Sequence, residues 1–361
     1  MKIYLVGGAV RDRLLGISDD NTEKDWVVVG SSAEEMLDLG YRQVGKEFPV
    51  FLHPGTQEEY ALARREKKIN KGYKGFEFDT SESVTLEQDL SRRDLTINAI
   101  AEKDGKLFDP FNGQDDLTHG LLKHVSDAFV EDPVRVLRVA RFAARFKVFG
   151  FKVAHSTHRL MKTIVASGEL DALTPERVFK ELEKALSYHT PSAFFKVLSA
   201  CGADRRIFPM LNHQAHDNHQ NQFEYLDNLQ TDSSIVRFSI WLHQENTAHI
   251  NQLCEHIKCP KSFQQLALLT AQWHLFAKHF LQQNADEVLL FFTRSDALRR
   301  VDRFAQLLSV FSLLNIDVAP IKTLAKKLKA IDIAKLDKND IAQAIYAEKL
   351  KITTLFLDST Q

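Results

Sequence analysis

The chain has 361 residues and a mass of 41.2 kDa, which favours two or three compact domains because a single core seldom grows past roughly 250–300 residues. With 44% hydrophobic and 26% charged residues it has ordinary globular make-up, and this excludes wholesale disorder, collagen-like repetition and small disulfide scaffolds. The net charge is only −1, yet residues 1–130 carry −7, 131–200 carry +5 and 201–361 carry +1, an asymmetry suited to a cation site beside a polyanion groove.

KIYLV (2–6) and WVVV (26–29) are short β-branched and aromatic runs bounded by Gly, Asp and Asn, and they predict two strands. Between them, AVRDRLLG has apolar residues at helical spacing and stops at Gly16, which predicts a short helix. The same opening puts two glycines, an arginine and an aspartate where a secretory signal needs a continuous apolar core, so a cytoplasmic location is expected. No stretch approaches about 20 uninterrupted apolar residues, so no membrane span is expected either. SSAEEMLDLG combines a serine N-cap, acidic residues and a closing glycine, and FPVFLH and EEYALA read as strands.

Residues 66–83, rich in charge, Gly and Ser, read as a long mobile loop hung from the sheet. From Asp132 the character changes. PVRVLRVARFAARF, THRLMKTIVASG, TPERVFKELEKALS and PSAFFKVLSACG are four consecutive amphipathic segments with Pro or Thr at their starts, and strands are expected to end near residue 125. The tail from about residue 205 reads as helical, with a polar linker, NHQAHDNHQNQ, at 212–222. Its Lys326, Lys327 and Lys329 lie in IKTLAKKLKAI, a basic amphipathic helix whose charged face is either solvated or able to track a phosphate backbone. Cys201, Cys254 and Cys259 are odd in number and lack CxxC spacing, so they read as buried thiols rather than a disulfide frame or a zinc knuckle.

Gly7, Gly8, Arg11 and Asp12 fall where the first strand turns into the first helix, a place where backbone N–H groups converge on an anion. Asp25 follows Arg11 by 14 residues, and Glu23 stands two before it. In extended chain residues two apart share a face, so Glu23 and Asp25 can meet one hard cation such as magnesium, which is often held by one or two carboxylates and substrate phosphates.

In this combination GGAVRDRLLG followed by EKDWVVVG resembles the head of the class II, bacterial-type nucleotidyltransferases that build the CCA end of tRNA. KEFPVFLHP, EEYALAR, LSRRDLTINAIA, DPFNGQDDL, AFVEDPVRVLRVARFAARF and LTPERVFKELEKAL extend the resemblance to about residue 209. It implies an α+β protein: a polymerase-β-like nucleotidyltransferase head over 1–125, an all-helical neck over 126–209 bearing a nucleobase-recognition helix, and a helical body and tail over 210–361 that bind tRNA. It further implies CTP and ATP as substrates, Mg2+ as cofactor, tRNA as the acceptor of C, C and A without a nucleic-acid template, and a monomer or weak homodimer. Within that family Gly8 and Arg11 serve the triphosphate, Arg93 and Asp94 the sugar and phosphates, and the strand carboxylates the metal. The family's usual pair is Asp-x-Asp, so Glu23 is a departure, one methylene longer with the charge kept; Asp19 and Asp20 have the wrong spacing to replace it.

Arg135, Arg138, Arg141 and Arg145 recur at helical spacing and share one face. Asp132 precedes Arg135 by one turn, offering an acceptor and a donor together. Cytosine and adenine both present an exocyclic amine beside a ring-nitrogen acceptor, whereas uracil and guanine present an N–H donor and a carbonyl. The pair would therefore accept C and A and leave buried groups unpaired against U and G. The family uses its EDxxR motif in this way, and Glu131, Asp132 and Arg135 match it; Arg138 and Arg141 would extend the cationic row toward the triphosphate.

Many relatives also carry a metal phosphohydrolase domain of the HD type. Here RFSIWLHQ has His243-Gln244 where His-Asp belongs, and His216-Asp217 falls in the polar linker with His213 and His219, so no functional HD domain is expected. A poly(A) polymerase, which should bear a longer and strongly basic extension, and a non-catalytic RNA-binding relic are the competing readings.

Overall fold

A computed structural model describes residues 1–20, 22–45, 50–68, 76–211, 220–333, 336 and 340–360. The chain divides into two compact units, Met1–Pro209 and Met210–Gln361.

The first unit opens with β1 (Lys2–Val6), α1 (Gly8–Leu14), β2 (Asp25–Val29) and α2 (Ala33–Asp38), the last capped by Ser32, whose hydroxyl accepts from the Glu35 N–H. β3 (Arg42–Val44), β4 (Val50–Leu52), β5 (Glu59–Leu62), β8 (Ala101–Lys103) and β9 (Lys106–Phe108) complete a seven-stranded sheet in the order β3-β4-β5-β2-β1-β8-β9. Only β2 and β5 run parallel; β1 pairs antiparallel with β2, and Val6 of β1 stands opposite Asp25. Alternation sends Tyr4, Val6 and Val27 to one face, and Val28, joined by Met36, Phe51 and Tyr60, to the other.

The stretch expected to be a mobile loop is in part a hairpin: β6 (Arg65–Lys68) pairs antiparallel with β7 (Phe76–Asp79), Arg65 opposite Asp79 with a 2.6 Å ion pair between them. The loop expectation came from composition, which does not register a cross-strand charge pair; residues 69–75 lie outside the described ones.

α3 (Leu86–Ser91) follows, closed by a capping box between Thr85 and Gln88, then α4 (Gly113–Thr118). Strands do not end near residue 125: β10 (Leu121–Leu122) pairs in parallel with β11 (Lys152–Val153), which comes after α5 (Val134–Phe146). Two-residue strands have no periodicity to betray them. α6 (His155–Ala166), α7 (Pro175–Ser187), α8 (Ser192–Cys201) and the short α9 (Asp204–Ile207) complete the unit, with α5 packed on α7 and α8.

The second unit consists of α10 (Gln220–Asp227), α11 (Ser234–Trp241), α12 (Thr247–His256), α13 (Lys261–Lys278), α14 (Ala285–Arg294), α15 (Val301–Leu313), α16 (Ala319–Lys329) and α17 (Ile341–Asp358). Phe238, Trp241, Phe291 and Phe311 are buried in its core. On α16 the Ile321, Leu324 and Leu328 side is buried, while Lys327 sits over the Phe356 ring at 5.1 Å. His243 gives its Nδ1 to the Ile240 carbonyl at 2.7 Å and meets His274 edge-on; burial lowers its pKa. Among the described residues no group of three or more His, Cys, Asp or Glu is placed to hold a metal, and no helix is long and apolar enough to cross a membrane. His213, His216, Asp217 and His219 lie outside the described residues.

Candidate active site

The site begins where β1 ends. Gly7 has φ +70° and ψ −126°, its N–H reaches Ile100 O at 3.3 Å, and an added Cβ would stand 3.0 Å from Arg93 Nη1. A side chain there is excluded by both backbone and space. Gly7→Ala should lower stability by about 1–3 kcal/mol in urea denaturation; an unchanged midpoint would mean that the turn is not constrained.

One turn into α1, Arg11 is 3% exposed. It gives Nε to Asp12 Oδ1 at 2.8 Å and Nη1 to Asn98 Oδ1 at 2.5 Å, beneath the rings of Phe142 and Phe146 at 5.3 and 4.9 Å. Burial lowers its pKa, and Asp12 works against that fall. Asp12 also accepts from Arg145 Nη2 at 2.8 Å, tying α1 to α5.

Asp94 is the hub between the two layers. Its Oδ1 accepts from the Leu95 N–H and from Asn98 Nδ2, and its Oδ2 from Arg138 Nε at 2.7 Å. Burial alone would raise its pKa, but Arg138 and the Asn98 hydrogen bond hold it far below the usual carboxylate range. A carboxyl depressed on folding contributes its full stability above its unfolded value and loses it progressively as the pH falls from there to the lowered one. Asp94→Asn should therefore cost about 3 kcal/mol at pH 7, and the gap to the parent should narrow steadily as the pH falls below the ordinary carboxylate value; a gap that stays constant there would refute the assignment.

Arg93, which follows α3, reaches Asp89 Oδ2 at 3.3 Å and Asn98 O at 3.4 Å, and its buried Nε has no hydrogen-bond partner. Asp89 is fully buried; it also takes Arg92 at 2.7 Å and the Arg64 N–H at 3.2 Å. Arg64 and Arg92 share Glu66 Oε1, each at 2.8 Å, and burial together with Arg92 pushes the Arg64 pKa down to about 10.

The expected Asp132–Arg135 couple is arranged differently. Arg135 is 7% exposed and is committed to main chain, giving Nη1 to Ala128 O at 2.7 Å and Nη2 to Arg92 O at 2.6 Å. Asp132 instead faces Arg177, near the start of α7, at 3.1 Å, and its Oδ1 caps the Val134 N–H. Arg141 is paired with Glu181 at 2.5 Å and packed on the Phe142 ring at 4.2 Å.

These groups line one cleft of about 510 Å3. Gly8, Arg11, Asp25, Arg93, Asp94, Asp132, Arg135, Arg138 and Arg141 all meet there. Glu23 does not line it: β2 begins only at Asp25, and Glu23 is exposed in the coil before it. It is close enough for its charge to act on Asp25, which is itself exposed at the cleft mouth but whose pKa is raised by the crowding of neighbouring atoms and by Glu23 against the lowering effect of Arg93. Arg64, Glu66, Asn98, Phe142, Arg145 and Arg177 also line the cleft, without an assigned role in the sequence reading. Arg64 and Arg177 nevertheless stand in EEYALAR and LTPERVFKELEKAL. Nine arginines against four carboxylates make the lining cationic, and Asp25 is the acidic group on its sheet side. Such a lining suits a polyphosphate.

Comparison with known proteins accords with this geometry. A family model described as the poly A polymerase head domain matches residues 3–123. A second, described as "Probable RNA and SrmB- binding site of polymerase A", matches residues 150–214. The chain is 47% identical over 338 residues to a multifunctional CCA protein of Thioalkalivibrio sulfidiphilus, covering 84% of this chain and 82% of the relative. It is 44% identical over 356 residues to a CCA-adding enzyme of Coxiella burnetii, covering 97% and 93%. A solved structure of a Thermotoga maritima CCA-adding enzyme complexed with tRNA has the same fold, with a TM-score of 0.67 at 22% identity over 99% of this chain and 91% of that one. With identity at this level over most of both chains, this chain belongs to the CCA-adding enzyme family.

Proposed function

We infer that this protein adds C, C and A to the 3′ end of tRNA from CTP and ATP, releasing pyrophosphate and using no nucleic-acid template. The observation that carries this reading is the cleft itself, where nine guanidinium groups converge opposite Asp25 and beside Asp132. In this reading the primer 3′-hydroxyl attacks the α-phosphate in line. Arg11, Arg93 and Arg138 hold the triphosphate, Gly8 lets it approach the backbone, and Asp94 fixes Arg138 and, through Asn98, the Arg11 guanidinium. Catalysis is then positioning and charge stabilisation, with no side-chain nucleophile.

Membership of the family implies dependence on a divalent metal, and we propose Mg2+. The donors fit: Asp25, with Glu23 near enough to join it, supplies hard oxygen, and with no third protein ligand among the described residues the remaining positions would fall to phosphate and water. Such an ion would neutralise charge building on the phosphates. Asp132 accepts from the exocyclic amine of cytosine or adenine, and the guanidinium donor beside it is Arg177 or a rearranged Arg135. Residues 1–125 form the head, 126–209 the neck, and 210–361 the tRNA-binding body and tail of a cytoplasmic, monomeric or weakly dimeric enzyme.

The test is incorporation of labelled CTP and ATP onto tRNA trimmed to its discriminator base. Two C residues with CTP alone, and then one A, are expected. Processive A addition without C would favour the poly(A) polymerase that the head's family description also allows, and an inert parent would favour a non-catalytic relic.

A further inference from the structure

The second unit holds a thiol pair that the CCA reaction leaves unused. α12 ends in a Schellman motif: Lys258, at φ +47°, gives its N–H to Glu255 O at 3.2 Å, and the Cys259 N–H closes back on Cys254 O at 2.9 Å. In this motif the side chains of the two residues joined by the outer bond come together, ordinarily as an apolar contact. Here both are cysteines, and their thiols lie close enough to perturb one another's protonation. The 2.9 Å main-chain bond between the same two residues also caps their Cα separation at about 7 Å by bond lengths, the limit for bridging without backbone movement.

We propose that Cys254 and Cys259 are a redox-active dithiol, a modification site that closes into an intramolecular disulfide across the end of α12. The two sulfurs have different parts. Cys254 is buried, and the neighbouring Cys259 together with burial raises its pKa; Cys259 is partly exposed, points its S–H at the Pro260 carbonyl at 3.7 Å, and is lowered by its partner. Pro260 and the start of α13 follow directly, so the bridge would staple the exit of one helix to the entry of the next. A metal is the less suitable occupant, because among the described residues no third His, Cys, Asp or Glu completes a site.

The oxidant is a low-molecular-weight disulfide, RSSR. The Cys259 thiolate attacks one of its sulfurs, the S–S bond breaks, and RS− leaves with the electron pair. Cys254 then gives up its proton and attacks the Cys259 sulfur, expelling the second RS−. Two protons and two electrons pass from the protein to the oxidant, and two RSH are formed.

The full chain, reduced and desalted, is incubated without denaturant with oxidised glutathione, quenched with an alkylating agent and mapped by mass spectrometry. The expected product has lost two hydrogens, joins the peptides on either side of Lys258, leaves Cys201 alkylated and reverts with dithiothreitol. Burial pushes the Cys201 thiol up to about 11, so it serves as the unreactive internal control. Cys254→Ser should trap a lasting glutathione adduct on Cys259, whereas Cys259→Ser should leave Cys254 unmodified. A parent that keeps a glutathione adduct on Cys259 without bridging, or whose Cys254 and Cys259 react no faster than Cys201, overturns the proposal.

Discussion

Asp25→Asn should keep its fold and lose about 10³-fold in turnover, or ~4 kcal/mol of transition-state stabilisation. Asp25 is the carboxylate on the sheet side of a cleft otherwise dominated by guanidinium groups, and the other carboxylates that line it, Glu66, Asp94 and Asp132, are each paired with an arginine. Asp25 is also fixed by register: opposite Val6 on one side and Glu59 on the other, it cannot move without breaking two strand pairings. The amide keeps the shape and removes the charge, so unfolding midpoints should stay near the parent while kcat falls. Acid should mimic the substitution. In the metal-free protein the crowding of neighbouring atoms and the Glu23 charge raise the Asp25 pKa, so protons compete with the cation there, and the Mg2+ concentration needed for activity should rise as the pH falls. Glu23→Gln should be milder, since Glu23 stands outside the cleft and before the strand. A Glu23→Gln enzyme as dead as Asp25→Asn would show that Glu23 swings in as a full ligand.

Asp132→Ala should cost CTP and ATP incorporation about 10²-fold and erase most of the preference over UTP and GTP. A wall that hydrogen-bonds the base rejects a mismatched edge because its own groups are left unpaired. Without the carboxylate, no acceptor meets the exocyclic amine. The structure divides the two nearby arginines sharply. Arg177 faces Asp132 itself, whereas Arg135 locks the Ala128 and Arg92 carbonyls together beneath the start of α5. Arg177→Ala should therefore shift nucleotide preference with little change in stability. Arg135→Ala should destabilise by about 1–3 kcal/mol, because two part-buried carbonyls lose their donor. Nucleotide competition assays and urea denaturation on the two variants separate these roles. Selectivity lost in Arg135→Ala with stability intact would return Arg135 to the base.

The strand–helix–strand opening and α5–α8 were legible because each carries its own periodicity and punctuation: Gly16 after α1, Pro133 before α5, Thr174 and Pro175 at α7. The β6–β7 hairpin and the β10–β11 pair were not, since the strands have at most four residues, those of the hairpin are rich in charge, and the partner of β10, Lys152–Val153, lies far along the chain. The same limit governs the site. The arginine face of α5 could be read from spacing, yet the partner of each guanidinium comes from elsewhere: Asp12 for Arg145, Asp94 for Arg138, Glu181 for Arg141. Spacing placed Glu23 beside Asp25 on the premise of extended backbone. The strand begins two residues too late for that premise, and only folding of the preceding coil decides where Glu23 points. Arg64 and Arg177 were inside recognised motifs but acquire meaning only from Asp89, Glu66 and Asp132 across the cleft.

The most direct measurement is a crystal structure of the protein soaked with CTP and Mg2+. The account predicts the triphosphate among Arg11, Arg93 and Arg138, with the ion between its phosphates and Asp25 and with the cytosine amine against Asp132. A nucleotide bound outside this cleft, or an ion held away from Asp25, would contradict it.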